Sequence, residues 1–125
     1  MTEGGEMRRG MVELSKDGHT IFRANVGTGW ASSAPPIKAT RPMQVMLMPG
    51  DVLLRAARPF SSGLPPGFGD TFGFTYDVRP FFIEWKSASG RLRPEQKAFI
   101  AAMQARGALA GVARSVDEAK NILAG

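Results

Sequence analysis

The sequence predicts an α/β fold, a mixed β-sheet flanked by helices, from three observations. Apolar residues recur at helical spacing early in the chain, from about residue 94, and again at the end. Between these stretches lie short runs rich in Phe, Val, Ile and Met, of strand length. Gly and Pro punctuate the boundaries. The resulting order of helix, several strands, helix, strand and helix suits a sheet covered by helices.

Met7, Met11 and Leu14 form the stripe of a first helix that closes near Asp17-Gly18. Residues 19–26 alternate as a strand, with Thr20, Phe22, Ala24 and Val26 on one face and Ile21, Arg23 and Asn25 on the other. Gly27-Thr28-Gly29 breaks it, and residues 30–42, rich in Ser, Pro and Ala, read as a loop. Residues 43–48 and 51–56 flank Pro49-Gly50, a dipeptide suited to a tight turn, and are expected to pair as a hairpin. After a Pro/Gly-rich connection over 58–69, a second hairpin is expected with strands at 71–76 and 80–86. Pro94 suits the first position of a helix reaching Arg106, with Gly107 just past its end and Phe99, Ile100 and Met103 as its buried stripe. Residues 109–114 form a short apolar strand, and Ser115-Val116-Asp117-Glu118 is a capping box opening a last helix through Leu123.

A chain of 125 residues suits one domain, 1–125, with a single core. No apolar run approaches the ~18 residues of a membrane span, so a membrane is not an expected partner. The polar start Met1-Thr2-Glu3-Gly4-Gly5-Glu6 does not read as a signal peptide. The lack of cysteine excludes disulfides, thiolate metal sites and cysteine nucleophiles, and fits a cytoplasmic location, the host cytoplasm if a phage encodes the chain. A net charge of +5 and a pI near 10.2 favour a polyanionic partner, nucleic acid first.

Chemistry concentrates in Gly67-Phe68-Gly69-Asp70 and Phe81-Phe82-Ile83-Glu84-Trp85-Lys86. Alternation along a strand puts Glu84 and Lys86 on one face and Phe81, Ile83 and Trp85 on the other. A turn at Asp77-Val78-Arg79 would set Tyr76 opposite Pro80, Phe72 opposite Glu84 and Asp70 opposite Lys86. Two carboxylates can hold a hard divalent cation, Mg²⁺ or Mn²⁺, and a nearby lysine can assist an attacking water. The competing reading is a surface cross-strand ion pair, which is common and worth under ~1 kcal/mol.

Nearly the whole chain resembles the VRR-NUC branch of the PD-(D/E)xK nucleases, above all its small stand-alone phage and prophage members. Four blocks carry the likeness: Phe22-Arg23-Ala24-Asn25-Val26-Gly27, Gly63-Leu64-Pro65-Pro66-Gly67-Phe68-Gly69-Asp70, Ile83-Glu84-Trp85-Lys86 with Ser87-Ala88-Ser89-Gly90-Arg91 and Pro94-Glu95-Gln96, and Gly111-Val112-Ala113-Arg114-Ser115. The resemblance implies a restriction-endonuclease-like fold, Asp70 and Glu84 as metal ligands, and Lys86 as the catalytic lysine. Gln96 matches a family glutamine, although a surface glutamine near a helix start is an equal alternative. Gly69 departs from the Pro or Ser usual before the aspartate. The family's acidic residue on the first helix is matched by Glu3 or Glu6, with Glu3 favoured because it lies on the inward stripe.

Arg23 and Asn25 share a strand face and are candidates for DNA contact, against the alternative of a solvated face. Arg91 and Arg93 are candidates for phosphate contact. His19 reads as a turn residue. The expected activity is that of a metal-dependent endodeoxyribonuclease, acting as a homodimer on branched DNA such as four-way junctions. The alternatives are a non-cleaving basic DNA-binding module and a structural protein of a phage particle.

Overall fold

A hydroxyl opens the first helix. In the computed structural model the Thr2 side chain accepts a hydrogen bond from the Gly5 amide at 3.0 Å, and α1 runs Glu3–Lys16. Such a cap stabilises a helix by about 1 kcal/mol. It offsets part of the cost of Gly4 and Gly5 within the first turn, where Glu3 and Glu6 also favour the helix dipole.

The structure describes residues 2–24, 30–59 and 62–125. The chain divides into two units, Met1–Asn25 with Gly63–Gly125, and Val26–Ser62.

The first unit adds β1 (Thr20–Arg23), β2 (Thr71–Phe74), β3 (Pro80–Trp85), α2 (Pro94–Ala105), β4 (Leu109–Ala113) and α3 (Val116–Leu123). The sheet order is β1-β2-β3-β4; the first two pairings are antiparallel and β3–β4 is parallel, with α2 as the crossover. This is the mixed sheet flanked by helices that the sequence predicts. β1 is shorter than expected. Ala24 still donates its amide to the Asp70 carbonyl at 2.9 Å, while Asn25 and Val26 lie outside the described residues. At α3 the Ser115 hydroxyl accepts from the Glu118 amide at 3.2 Å, as a capping box requires, but the Glu118 carboxylate turns to the Arg114 amide at 3.3 Å.

β3 supplies the core. Phe81, Ile83 and Trp85 are fully buried against Met7 and Leu14 of α1 and Ala119 and Leu123 of α3. Trp85 lies over Gly10, where an added Cβ would fall 2.2 Å from the indole ring. The indole N–H donates to the Thr71 hydroxyl at 3.0 Å, so this large side chain is buried with its polar atom satisfied. α2 packs across β3 and β4 on the other face of the sheet.

The β2–β3 hairpin corrects the expected register. Its loop is Tyr76-Asp77-Val78, closed by the Thr75 amide on the Arg79 carbonyl at 2.9 Å. The Thr75 hydroxyl accepts from the Arg79 amide at 2.9 Å and donates to Asp77 at 2.5 Å. Val78 takes the left-handed conformation, φ 63°, that completes a three-residue loop of this kind. Phe72 therefore stands opposite Phe82, and Phe74 opposite Pro80. The pairing is displaced by two residues, which leaves every side chain on its expected face because the strand period is also two.

The second unit holds the other correction. Over residues 30–59 no strand forms, and Met43, Val45, Leu47, Val52 and Leu54 are all exposed. Only the turn survives, with the Asp51 amide on the Met48 carbonyl at 2.9 Å and the Met48 amide on the Asp51 carboxylate at 2.8 Å. The physical reason is that a lone hairpin is marginal without a surface to bury one of its faces. Among the described residues, no helix is long and apolar enough to cross a membrane.

Candidate metal-binding site

The bend before β2 is shaped by Gly67, whose φ is +84° and whose Cβ would fall 2.2 Å from the Glu95 carbonyl. Only glycine permits both that conformation and that approach to the start of α2. Gly69 is buried against the Ile83 backbone. Asp70 follows, gripped from both neighbouring strands: its carbonyl accepts from Ala24 and its Oδ2 accepts from the Trp85 amide at 2.9 Å. Extending the pairing Thr71↔Ile83 by one residue brings Asp70 level with Glu84, not with Lys86 as the sequence register had it.

Glu84 is 3% exposed. Its Oε1 accepts from Gln96 Nε2 at 2.7 Å and lies 3.7 Å from Lys86 Nζ. Its Oε2 is buried and receives no hydrogen bond from the described residues, while the protonated carboxyl can hydrogen-bond to the Asp70 side chain. Burial first, and then the negative charge of Asp70, push the Glu84 carboxyl up to about 7, against the opposing pull of Lys86. Gln96, itself buried, has its amide orientation set at the other end, where Oε1 accepts from the Arg93 amide at 2.9 Å. Its NH₂ is thereby aimed at Glu84. Gln96 is therefore not the surface glutamine of the alternative reading.

Asp70, Glu84, Lys86 and Gln96 are thus brought together. The acidic residue expected from the first helix is not: among the described residues no group of three or more His, Asp and Glu gathers around a common point. Glu6 pairs with Arg9 at 2.9 Å and accepts from the Val116 amide at 3.2 Å, at the start of α3. Glu3 is exposed in the first turn of α1, a helix that packs against the Trp85 face of the sheet.

Arg23 is exposed at the end of β1, and Asn25 lies outside the described residues. Arg91 is exposed, and the exposed Arg93 pairs with Glu95 at 3.2 Å. His19 anchors a turn, its Nδ1 accepting from the Tyr76 amide at 3.1 Å. Sequence reasoning assigned no role to Arg114, whose guanidinium donates to the carbonyls of Ser87, at 2.5 Å, and Gly90, at 2.6 Å. It ties down the loop after Lys86, whose own amide donates to the Ala113 carbonyl at 3.1 Å. The available signal was parallel pairing, which puts the residues following β3 and β4 side by side.

The donor set is all oxygen, with one buried carboxylate oxygen unpartnered. That fits a hard divalent cation of the Mg²⁺ type, which is commonly held by one or two carboxylates and keeps several waters. In comparisons with known proteins the chain matches no family model, no curated protein and no solved structure.

Proposed function

We propose that the chain is a divalent-metal-dependent endodeoxyribonuclease of the VRR-NUC kind, with a restriction-endonuclease-like fold and Mg²⁺ or Mn²⁺ as cofactor. The observation that supports this most is Glu84, buried with an oxygen that receives no hydrogen bond among the described residues, level with Asp70 and paired with Lys86 and Gln96. An ordinary surface ion pair needs neither burial nor an orphaned oxygen.

Asp70 and Glu84 hold the cation. When bound, it supplies Lewis acidity, polarising a phosphoryl oxygen and lowering the pKa of a water. Gln96 fixes one oxygen of Glu84 and leaves the other available. Lys86 orients the attacking water and offsets charge developing on the phosphate, in a position held by its pairing with Glu84. Arg91 and Arg93 contact DNA phosphates, where charge matters more than spacing; Arg23, level with Thr71 on the opposite sheet face, could reach DNA only around the strand end.

The active form is a homodimer acting on branched DNA, in which two-fold symmetry matches two centres to two strands. The exposed Trp30, Met43, Met46 and Met48 supply apolar surface for that pairing. The test is incubation of the protein with linear, flapped and four-way DNA, with and without Mg²⁺ or Mn²⁺, alongside light scattering. Cutting that requires metal is expected, with four-way DNA preferred at one fixed salt concentration. No cutting of any substrate with either metal would refute the nuclease reading, and a monomer cutting all shapes equally would refute the dimer.

A further inference from the structure

The face of the sheet that carries Asp70 and Glu84 also carries a row of phenylalanine rings. Phe99 of α2 packs against Phe68 and Phe82, with centroids 5.0 and 5.4 Å away. Phe68 meets Phe72 edge-on at 5.5 Å, and Phe72 meets Phe22 of β1 at 5.7 Å. The row runs from a buried ring under α2 to an open one: Phe99 is 9% exposed and Phe22 is 48% exposed, with Phe74 beside it at 49%. Each ring is held by the one behind it, so the outermost aromatic surface is prearranged before anything binds.

Position gives this surface a meaning. Phe22 and Phe72 are directly opposed, and Phe72 lies two residues along β2 from Asp70. At ~3.3 Å per residue that is ~7 Å, the length of about two stacked nucleotides. A strand whose phosphate sits at the carboxylate pair would bring a neighbouring base over these rings. The half of the face beyond α2 ends in aromatic rings, where burial alone would be served equally by aliphatic side chains, and the chain carries a net +5. Flat π surface beside a phosphate site on a basic protein is the pattern by which single-stranded nucleic acid is gripped. A paired base within a duplex has both of its faces covered by neighbours, so only an unpaired or splayed base can lie on them.

We propose that the Phe22–Phe72 surface stacks a nucleobase that is unpaired, or splayed from its pair at a branch point, next to the scissile phosphate. The position of the cut rests on the nuclease reading above; the stacking surface does not. The test uses the full chain in EDTA, where nothing is cut, with fluorescently labelled oligothymidylate of about 12 nucleotides and a duplex of equal length at one salt concentration. Phe22→Leu keeps an apolar side chain at an exposed position and removes the ring, while Phe22→Tyr keeps the ring. Phe22→Leu is expected to weaken single-strand binding roughly 5- to 100-fold and to leave duplex binding within about twofold, with Phe22→Tyr close to wild type. Equal single-strand affinity for wild type and Phe22→Leu, or an equal loss on both DNAs, would overturn the proposal. So would a change in sedimenting mass with unchanged single-strand binding, which would assign the surface to a second copy of the chain. In a parallel arm with Mn²⁺, preferential cutting of flapped over linear DNA, lost in Phe22→Leu, supports the placement beside the cut. A ring-dependent single-strand affinity with no cutting of any DNA would keep the stacking surface and dismiss the nuclease reading.

Discussion

Along β3, neighbouring side chains serve opposite faces of the sheet and meet opposite fates. Phe81, Ile83 and Trp85 point toward α1 and α3 and have no exposure, with their one polar atom, the indole N–H, bonded to Thr71. Phe82, Glu84 and Lys86 point the other way, where Glu84 is buried with an oxygen unpartnered among the described residues and Lys86 stays partly exposed. The first face is closed and satisfied, and its stability comes from burial and close packing. The second face gives up some of that stability by keeping a carboxyl in a place that disfavours its charge. Such an arrangement is expected where a ligand supplies the missing partner.

Breaking the second face should have the largest effect, and on activity above all. Asp70→Asn or Lys86→Ala is expected to abolish metal-dependent cutting while DNA affinity stays within a few fold, because affinity rests on dispersed Lys and Arg. Gel-based cleavage with parallel anisotropy titration checks this, and wild-type cutting by Asp70→Asn would remove these residues from the chemistry. Breaking the first face should act on stability instead. Trp85→Ala is expected to cost about 3–5 kcal/mol, read from the urea midpoint at unchanged slope.

The next effect sharpens the contrast through pH. The Glu84 carboxyl is raised from 4.5 to about 7 in the folded state, so folding favours its protonated form. Its burden on stability is absent below the unfolded value, grows as pH rises, and is complete above about 7. Since other carboxylates act in the opposite direction, the measurement is a difference. The melting temperature of metal-free Glu84→Gln should gain on that of wild type between pH 5 and pH 8. A gap that stays constant over this range would show that Glu84 is not held in its neutral form. The smallest effect belongs to Gly10→Ala, whose added methyl group would press on the Trp85 ring. It should destabilise by about 1–3 kcal/mol and leave the affinity for Mn²⁺ unchanged, which isothermal titration can verify.

How much of this was legible in the sequence differs between elements. The starts of α2 and α3 were readable because capping is local: Pro94 and Ser115 act within one turn of their own positions, whereas the Thr2 cap of α1 emerges only in the structure. The two faces of β3 were readable because alternation needs no knowledge of a partner strand. The grouping of Asp70 with Glu84 and Lys86 survived a hairpin register displaced by two residues, since that displacement preserves the face. What it altered was the neighbour of Asp70, which became Glu84 and so put the two acids level.

Other features were decided only by tertiary structure. Residues 43–48 and 51–56 have the composition of paired strands, yet pairing requires a surface to bury one face, and that requirement is not written in the segment itself. Glu6 has an inviting position near the chain start, but packing of α1 against α3 commits it to the Val116 amide. Gln96 becomes a support for Glu84 only because α2 crosses β3 at that point. Arg114 reaches the loop after Lys86 only because β4 pairs parallel to β3. By itself the sequence determined where α2 and α3 begin and which side chains share a strand face, since both follow from interactions within a few residues. Which groups from distant segments meet was decided by register, crossing and burial, which depend on every element packing at once.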